Sequence, residues 1–204
     1  PQRGPGTRYD LVLEDGSDAP PDTPGELLVR RAGDNPRFGF FREYLKDPEA
    51  TAEAWEGGWF HTGDVVRRAA DGSFHFVDRR KNVIRRSGEN ISAVEVESVL
   101  QRHPAIRQVA CVATPDAVRG DEVLALIVLN DPKPPDEAAL AQEVAEFCLS
   151  RLAYYKAPGW VAFVPSIPLT GTQKIQRGAL RQLAQARMDA GACHDTRALK
   201  RRGA

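Results

Sequence analysis

Nothing in this sequence is long and apolar enough to span a bilayer: no apolar run approaches the ~20 residues that a crossing helix needs. No basic, then apolar, leader opens the chain, so no secretory signal is read there. Cysteine is scarce. Cys111, Cys148 and Cys193 make an odd count with no close pair, which argues against a disulfide framework and points to a reducing compartment, the cytoplasm. The four histidines are scattered without metal-ligand spacing, so no structural metal is expected. Net charge is also missing, since 28 Lys and Arg balance 28 Asp and Glu; no whole-chain field selects an anionic partner. Lysine is rare among the basic residues. Only Lys46, Lys81, Lys133, Lys156, Lys174 and Lys200 occur, so a lysine in a loop stands out. A starting methionine is absent: Pro1 begins in strand-like material, and the chain reads as a fragment.

What is present is ordinary for a globular protein, with 42% apolar and 27% charged residues. A chain of 204 residues can form one large or two small domains. The first third reads as strands and turns. Residues 9–13 alternate, 25–29 resume after Asp15-Gly16, and Asp71-Gly72 separates Val65-Val66 from Phe74–Val77 as a hairpin signal. Residues 47–55 suit a short helix with Asp47 as N-cap and Pro48 in its first turn. Beyond residue 80 the pattern becomes mixed. Ser92-Ala93-Val94-Glu95 is a capping box that opens a helix with Val96, Val99, Leu100 and His103 on one face. Strands are expected at about 107–113, 122–129 and 160–164, and helices from about Asp136 and around Leu180–Arg187. The polar tetrapeptide at 79–82 is the candidate boundary. The tail from Gly191 is short and basic and reads as a mobile end.

Four stretches carry chemistry. In Gly58–Asp64, GWFHTGD, Asp64 either bonds its own turn or offers two acceptor oxygens to a pair of vicinal hydroxyls. Residues 78–86, DRRKNVIRR, are a solvated basic strand or an anion-facing one; no interleaved aromatics support nucleic acid as the partner. Ser87-Gly88-Glu89-Asn90 is a turn requiring positive φ at Gly88, set before a capped helix. Leu169–Arg177, LTGTQKIQR, presents one lysine from a loop of small hydroxyl residues, which is suited to a phosphate or carboxylate but is also compatible with a plain surface turn.

Taken in order and at these separations, the stretches resemble the adenylate-forming superfamily of acyl-CoA synthetases, luciferases and peptide-synthetase adenylation domains. The likeness runs from about Gly25 to Arg177 and includes GEL at 25–27 and DPEAT at 47–51. The wording FREY at 41–44 and TQKIQR at 172–177 is most similar to crotonobetaine or carnitine CoA ligases. The resemblance implies an α+β chain. Residues 1–80 would be the β-rich end of a large AMP-binding domain, a distorted barrel. Residues 81–190 would be a small α/β C-terminal lid with a three-stranded sheet flanked by helices, followed by the tail 191–204.

The same resemblance implies an ATP-dependent carboxylic acid–CoA ligase, which makes acyl-AMP and pyrophosphate and then acyl-CoA and AMP. Asp64 and Arg79 would hold the nucleotide ribose, and Lys81 would be the hinge. Ser87, Gly88, Glu89 and Asn90 would line the pantetheine path, and Lys174 would be the catalytic lysine at the α-phosphate and the acid. ATP and CoA are the expected nucleotide and thiol, with Mg2+ held by the missing N-terminal domain and no metal in this fragment. The partners would be that domain and a small carboxylic acid, with neither nucleic acid nor a transmembrane segment, and the fragment alone would be inactive. Three positions depart from the usual pattern: Gln173 stands where glycine precedes the lysine, Glu43 precedes Tyr44, and Asn82 follows the hinge. A carrier-protein-loading adenylation domain and a non-catalytic binding module remain as alternatives.

Overall fold

The computed structural model describes residues 6–130 and 136–201. The chain divides into two compact units, residues 1–81 and 82–204.

In the first unit β1 (Thr7–Val12), β2 (Pro24–Arg31), β3 (Phe60–Arg68) and β4 (Phe74–Arg79) form an antiparallel sheet in sequence order. Leu11, Leu27, Val29 and Val66 are buried together on it. Gly25 is glycine for want of space, because a Cβ there would lie 2.8 Å from the Val12 carbonyl and 2.9 Å from the Ala19 Cβ. Helix α1 (Pro48–Ala54) starts where the cap predicts, the Asp47 carboxylate accepting from the Ala50 N–H. The expected Asp71-Gly72 turn joins β3 to β4, with Gly72 at φ +80° and Asp71 accepting from the Ser73 N–H.

In the second unit the order is β5 (Val83–Arg86), β6 (Glu89–Ser92), α2 (Ala93–Leu100), β7 (Ile106–Asp116), β8 (Gly120–Leu129), α3 (Glu137–Leu149), β9 (Trp160–Phe163), α4 (Arg177–Asp189) and β10 (His194–Asp195). The near-continuous apolar run of β8 follows from its place at the centre, buried on both faces. Val123, Ala125 and Ile127 enter one core with α2 and α3, while Leu124, Leu126 and Val128 enter the other with α4. Residues Val123 to Ile127 are wholly buried, each large side chain contributing roughly 1.5–3 kcal/mol. β8 pairs antiparallel with β7, parallel with β9, and at Gly120 with Arg86 of β5. The three strands expected from the sequence are β7, β8 and β9; the β5–β6 hairpin and β10 enlarge the sheet to six among the described residues.

The tail departs from its reading as a mobile end. His194 and Asp195 pair with Val161 and Trp160, and Thr196 and Lys200 are buried. Residues 202–204 lie outside the described residues.

Candidate active site

The first unit brings Asp64 and Arg79 together. They are directly opposed across β3 and β4, and the Arg79 Nε lies 2.7 Å from the Asp64 Oδ1. Both neighbouring ladders are irregular here, with register shifts between Glu26 and Leu28 and between Val65 and Val66. Such bulges bend a strand and re-aim its side chains. Gly63 supplies the bend at φ +68°. The Thr62 hydroxyl donates to the Leu27 carbonyl at 2.7 Å and accepts from the Asp64 N–H at 3.1 Å, pinning the backbone on either side of the bulge.

Glu26 was not singled out as a site residue. Buried in β2, it accepts from the Arg80 Nη1 at 2.9 Å and from the Gly63 N–H at 3.3 Å, and it lies 3.3 Å from the His61 Nδ1. It ties the GWFHTGD segment to the chain entering Lys81. The signal in the sequence was the GEL triplet, a carboxylate inside an otherwise apolar strand. Lys81 itself is exposed, in a short 3-10 turn covering Arg80–Asn82, and the division between the units falls directly after it.

In the second unit Ser87 and Gly88 are the two-residue turn of the β5–β6 hairpin, at φ +52° and +83°. Positive φ at both positions is the type I′ pattern favoured by strand twist. Ser87, Gly88, Glu89 and Asn90 are all exposed. Below them Ile84 and Ile91 are fully buried, so an exposed tip stands on an anchored base. The tip is also tied sideways: the Ser87 N–H donates to the Arg119 carbonyl at 2.8 Å and the Arg85 N–H to Asp121 at 3.2 Å. Ser92 caps α2 by accepting from the Glu95 N–H, and the Glu95 carboxylate takes the Lys156 ammonium at 2.7 Å.

Lys174 lies in a different loop of the same unit. An isolated bridge between Leu169 and Ile175 closes it, and the Thr170 N–H donates to the Lys174 carbonyl at 2.7 Å. The Thr170 hydroxyl accepts from the Lys174 N–H at 3.1 Å and lies 2.9 Å from the Thr172 hydroxyl. Gln173 adopts φ +63°, so the residue that replaces the usual glycine keeps a glycine-like conformation. Lys174 is exposed.

The hairpin and the lysine loop rest on opposite layers. Ile84 and Ile91 pack in the core shared with α2 and α3, whereas Leu169 and Ile175 pack in the core shared with α4. Arg177, at the start of α4, joins the two layers around β7. Its guanidinium donates to Glu97 of α2 at 3.0 Å and to the Cys111 carbonyl at 3.1 Å, while Glu97 accepts from the Cys111 N–H at 2.8 Å. These side chains cap backbone groups of β7 that would otherwise invite another strand. Among the described residues no group of three or more His, Cys, Asp or Glu side chains could hold a metal ion. Burial pushes the Cys148 thiol up to about 12 and the Cys111 thiol well above its ordinary value, so both are inert core residues.

The second unit thus presents one lysine from a closed loop and a glycine turn at the tip of a hairpin, and comparison with known proteins gives these features a family context. Residues 95–174 match the AMP-binding enzyme C-terminal domain. The mitochondrial acyl-coenzyme A synthetase ACSM5 of Homo sapiens is 42% identical over 172 residues, covering 84% of this chain and 30% of that protein. A crotonobetaine/carnitine–CoA ligase of Salmonella heidelberg is 39% identical over 158 residues, covering 77% and 29%. Among solved structures, the anthranilate CoA ligase AuaEII in complex with anthranoyl-AMP matches with TM-score 0.72 and 32% identity, over 91% of this chain and 34% of that one. Residues 95–174 thus carry the AMP-binding enzyme C-terminal domain, and over most of its length the chain is homologous to acyl-CoA synthetases and crotonobetaine/carnitine–CoA ligases. It spans about 30% of the length of the curated relatives it matches.

Proposed function

We propose that the whole protein is an ATP-dependent carboxylic acid–CoA ligase whose two half-reactions use the two layers of the second unit in turn. One observation carries this reading: the lysine loop packs in the core on the α4 side of the sheet, whereas the Ser87–Asn90 hairpin, itself part of that sheet, seats its buried residues in the core on the α2 and α3 side. A single rigid placement of that sheet would offer a reaction centre only one of them. Rotation at Lys81, where the two compact units meet in sequence, would exchange them.

In the first half-reaction a carboxylate approaches the α-phosphorus of ATP, and two anions must come together. Lys174 supplies the compensating charge. At ~4 Å and an effective dielectric near 20, one ammonium is worth about 4 kcal/mol per anionic contact. Asp64 accepts from the ribose hydroxyls, and Arg79 orients Asp64 while adding positive charge beside the nucleotide. In the second half-reaction the hairpin lines the approach of the CoA thiol, which displaces AMP from the acyl-adenylate. Its small Ser87-Gly88 tip leaves room for a slender pantetheine arm. The test is acid-dependent ATP–pyrophosphate exchange by the full-length protein across a panel of carboxylic acids. Transfer is then followed to CoA and to a phosphopantetheinylated carrier protein. Exchange with at least one acid and faster transfer to CoA are expected. Absence of exchange with every acid would remove the ligase reading, and preference for the carrier would make the protein an adenylation domain.

A further inference from the structure

A buried charge cluster lies under the hairpin, with no part in the chemistry above. Glu122, at the start of β8, is completely buried. Its Oε2 accepts from the Arg86 Nε at 2.8 Å, and its Oε1 accepts from the Lys200 Nζ at 2.5 Å and from the Val123 N–H at 2.9 Å. Arg86 is the last residue of β5, next to Ser87, and Lys200 comes from the far end of the chain. The fold makes room for this cluster. Gly159 has no side chain where one would collide, since a Cβ there would lie 2.4 Å from the Glu122 Cγ and 2.5 Å from its Cδ.

The segment that delivers Lys200 is fastened along its length. β10 pairs with β9. The Thr196 hydroxyl donates to the Pro158 carbonyl at 2.8 Å, and its N–H to the Gly159 carbonyl at 3.0 Å. The Arg197 guanidinium reaches Asp195 at 2.7 Å and Asp116 at 3.1 Å and lies 4.5 Å above the Trp160 ring. Asp116 ends β7 and leads into the turn whose Arg119 carbonyl accepts from Ser87. The C-terminal segment therefore reaches the hairpin by two routes, through Glu122 to Arg86 and through Asp116 to the β7–β8 turn.

We propose that residues 192–201 form a strap, with Lys200 as its anchoring group, that sets the pose of the Ser87–Asn90 hairpin. Buried charged groups contribute little net stability but fix one arrangement against its neighbours. Here the arrangement fixed is that of Arg86 beneath an exposed two-residue turn. Lys200 and Arg197 are positioning residues that touch neither nucleotide nor thiol. The catalytic consequence rests on the reading given above: a loosened strap slows thioester formation and leaves adenylation alone.

The test uses the full-length enzyme with Lys200→Met, which keeps the volume and removes the ammonium, and Arg197→Ala, which loosens the strap without touching Glu122. Backbone hydrogen exchange over residues 86–92 is measured first, because it needs no activity. At least fivefold faster exchange there is expected in both variants, and unchanged protection in either overturns the proposal. Single-turnover thioester formation from preformed acyl-adenylate is then expected to slow about tenfold, with ATP–pyrophosphate exchange within twofold of the unaltered enzyme. Equal losses in both half-reactions would overturn the positioning role. In a Glu122→Gln background Lys200→Met should add nothing further, because its effect passes through Glu122; additive losses contradict that route. Should the unaltered enzyme activate no acid, the ligase reading falls while the exchange measurement still decides the strap.

Discussion

Glu122→Gln is a severe isosteric change in the second unit. The substitution keeps the shape of the side chain but removes the anion that faces two buried cations. The Arg86 and Lys200 side chains are 3% and 1% exposed, and that of Glu122 is 0%. One carboxylate oxygen also becomes an NH2 group, which meets a donor instead of accepting from it. Breaking a buried pair by removing one partner costs about 3–5 kcal/mol, because the remaining charge stays desolvated. Urea unfolding, followed by the fluorescence of Trp160, the one tryptophan after residue 81, reads this directly. With a slope of about 2 kcal/mol per molar urea, the midpoint should fall by roughly 1.5–2.5 M. A loss below about 1 kcal/mol, the size of a surface ion pair, would refute the claim that Glu122 carries its charge in a dry site.

Three further outcomes follow from individual residues. Gly159→Ala must displace the Glu122 carboxylate, so its loss in the same unfolding assay should approach that of Glu122→Gln, and the double variant should lose no more than either alone; full additivity would show two separate sites. Gln173 holds φ +63°, where a β-branched residue is strained by about 1–2 kcal/mol. Gln173→Gly should therefore match or exceed the unaltered adenylation rate and Gln173→Val should fall below it, an order that pyrophosphate exchange can reverse if the loop is not held as described. Burial lowers Lys200 from 10.5 to about 8, against the opposing pull of Glu122. Between those values the unfolded chain binds more protons than the folded one, so this group makes stability rise with pH from about 8 to 10.5. Measured as the difference between the unaltered protein and Lys200→Met, a fall over that interval would contradict the burial.

The sequence made local devices legible and left long-range ones hidden. Asp47, Ser92 and the Asp71-Gly72 turn act within a few residues of themselves, and each does in the structure what its chemistry dictates. The stripes of α2, α3 and α4 and the continuous run of β8 announced which faces are buried. The positive φ at Gly88 was readable; that Ser87 shares it was not. Residues 83–86 read as a basic stretch because Arg85 and Arg86 break the apolar pattern, although Arg86 points inward to Glu122. That partner is 36 positions away, and Lys200 is 78 positions from Glu122; no periodicity encodes such a meeting. For the same reason the tail read as mobile: a two-residue strand and an inserted lysine leave no mark on composition. Glu26 was visible inside GEL, but its grip on Arg80 and Gly63 depends on the bulge between β2 and β3.

The measurement that bears most directly on the two-layer account is the pair of half-reaction rates in full-length Lys174→Ala. Removing the ammonium should slow adenylation by roughly 10²–10³, while thioester formation from supplied acyl-adenylate stays within about twofold, because the hairpin on the opposite layer is untouched. Equal slowing of both steps would mean that one face of the sheet serves the whole reaction, and would contradict the account.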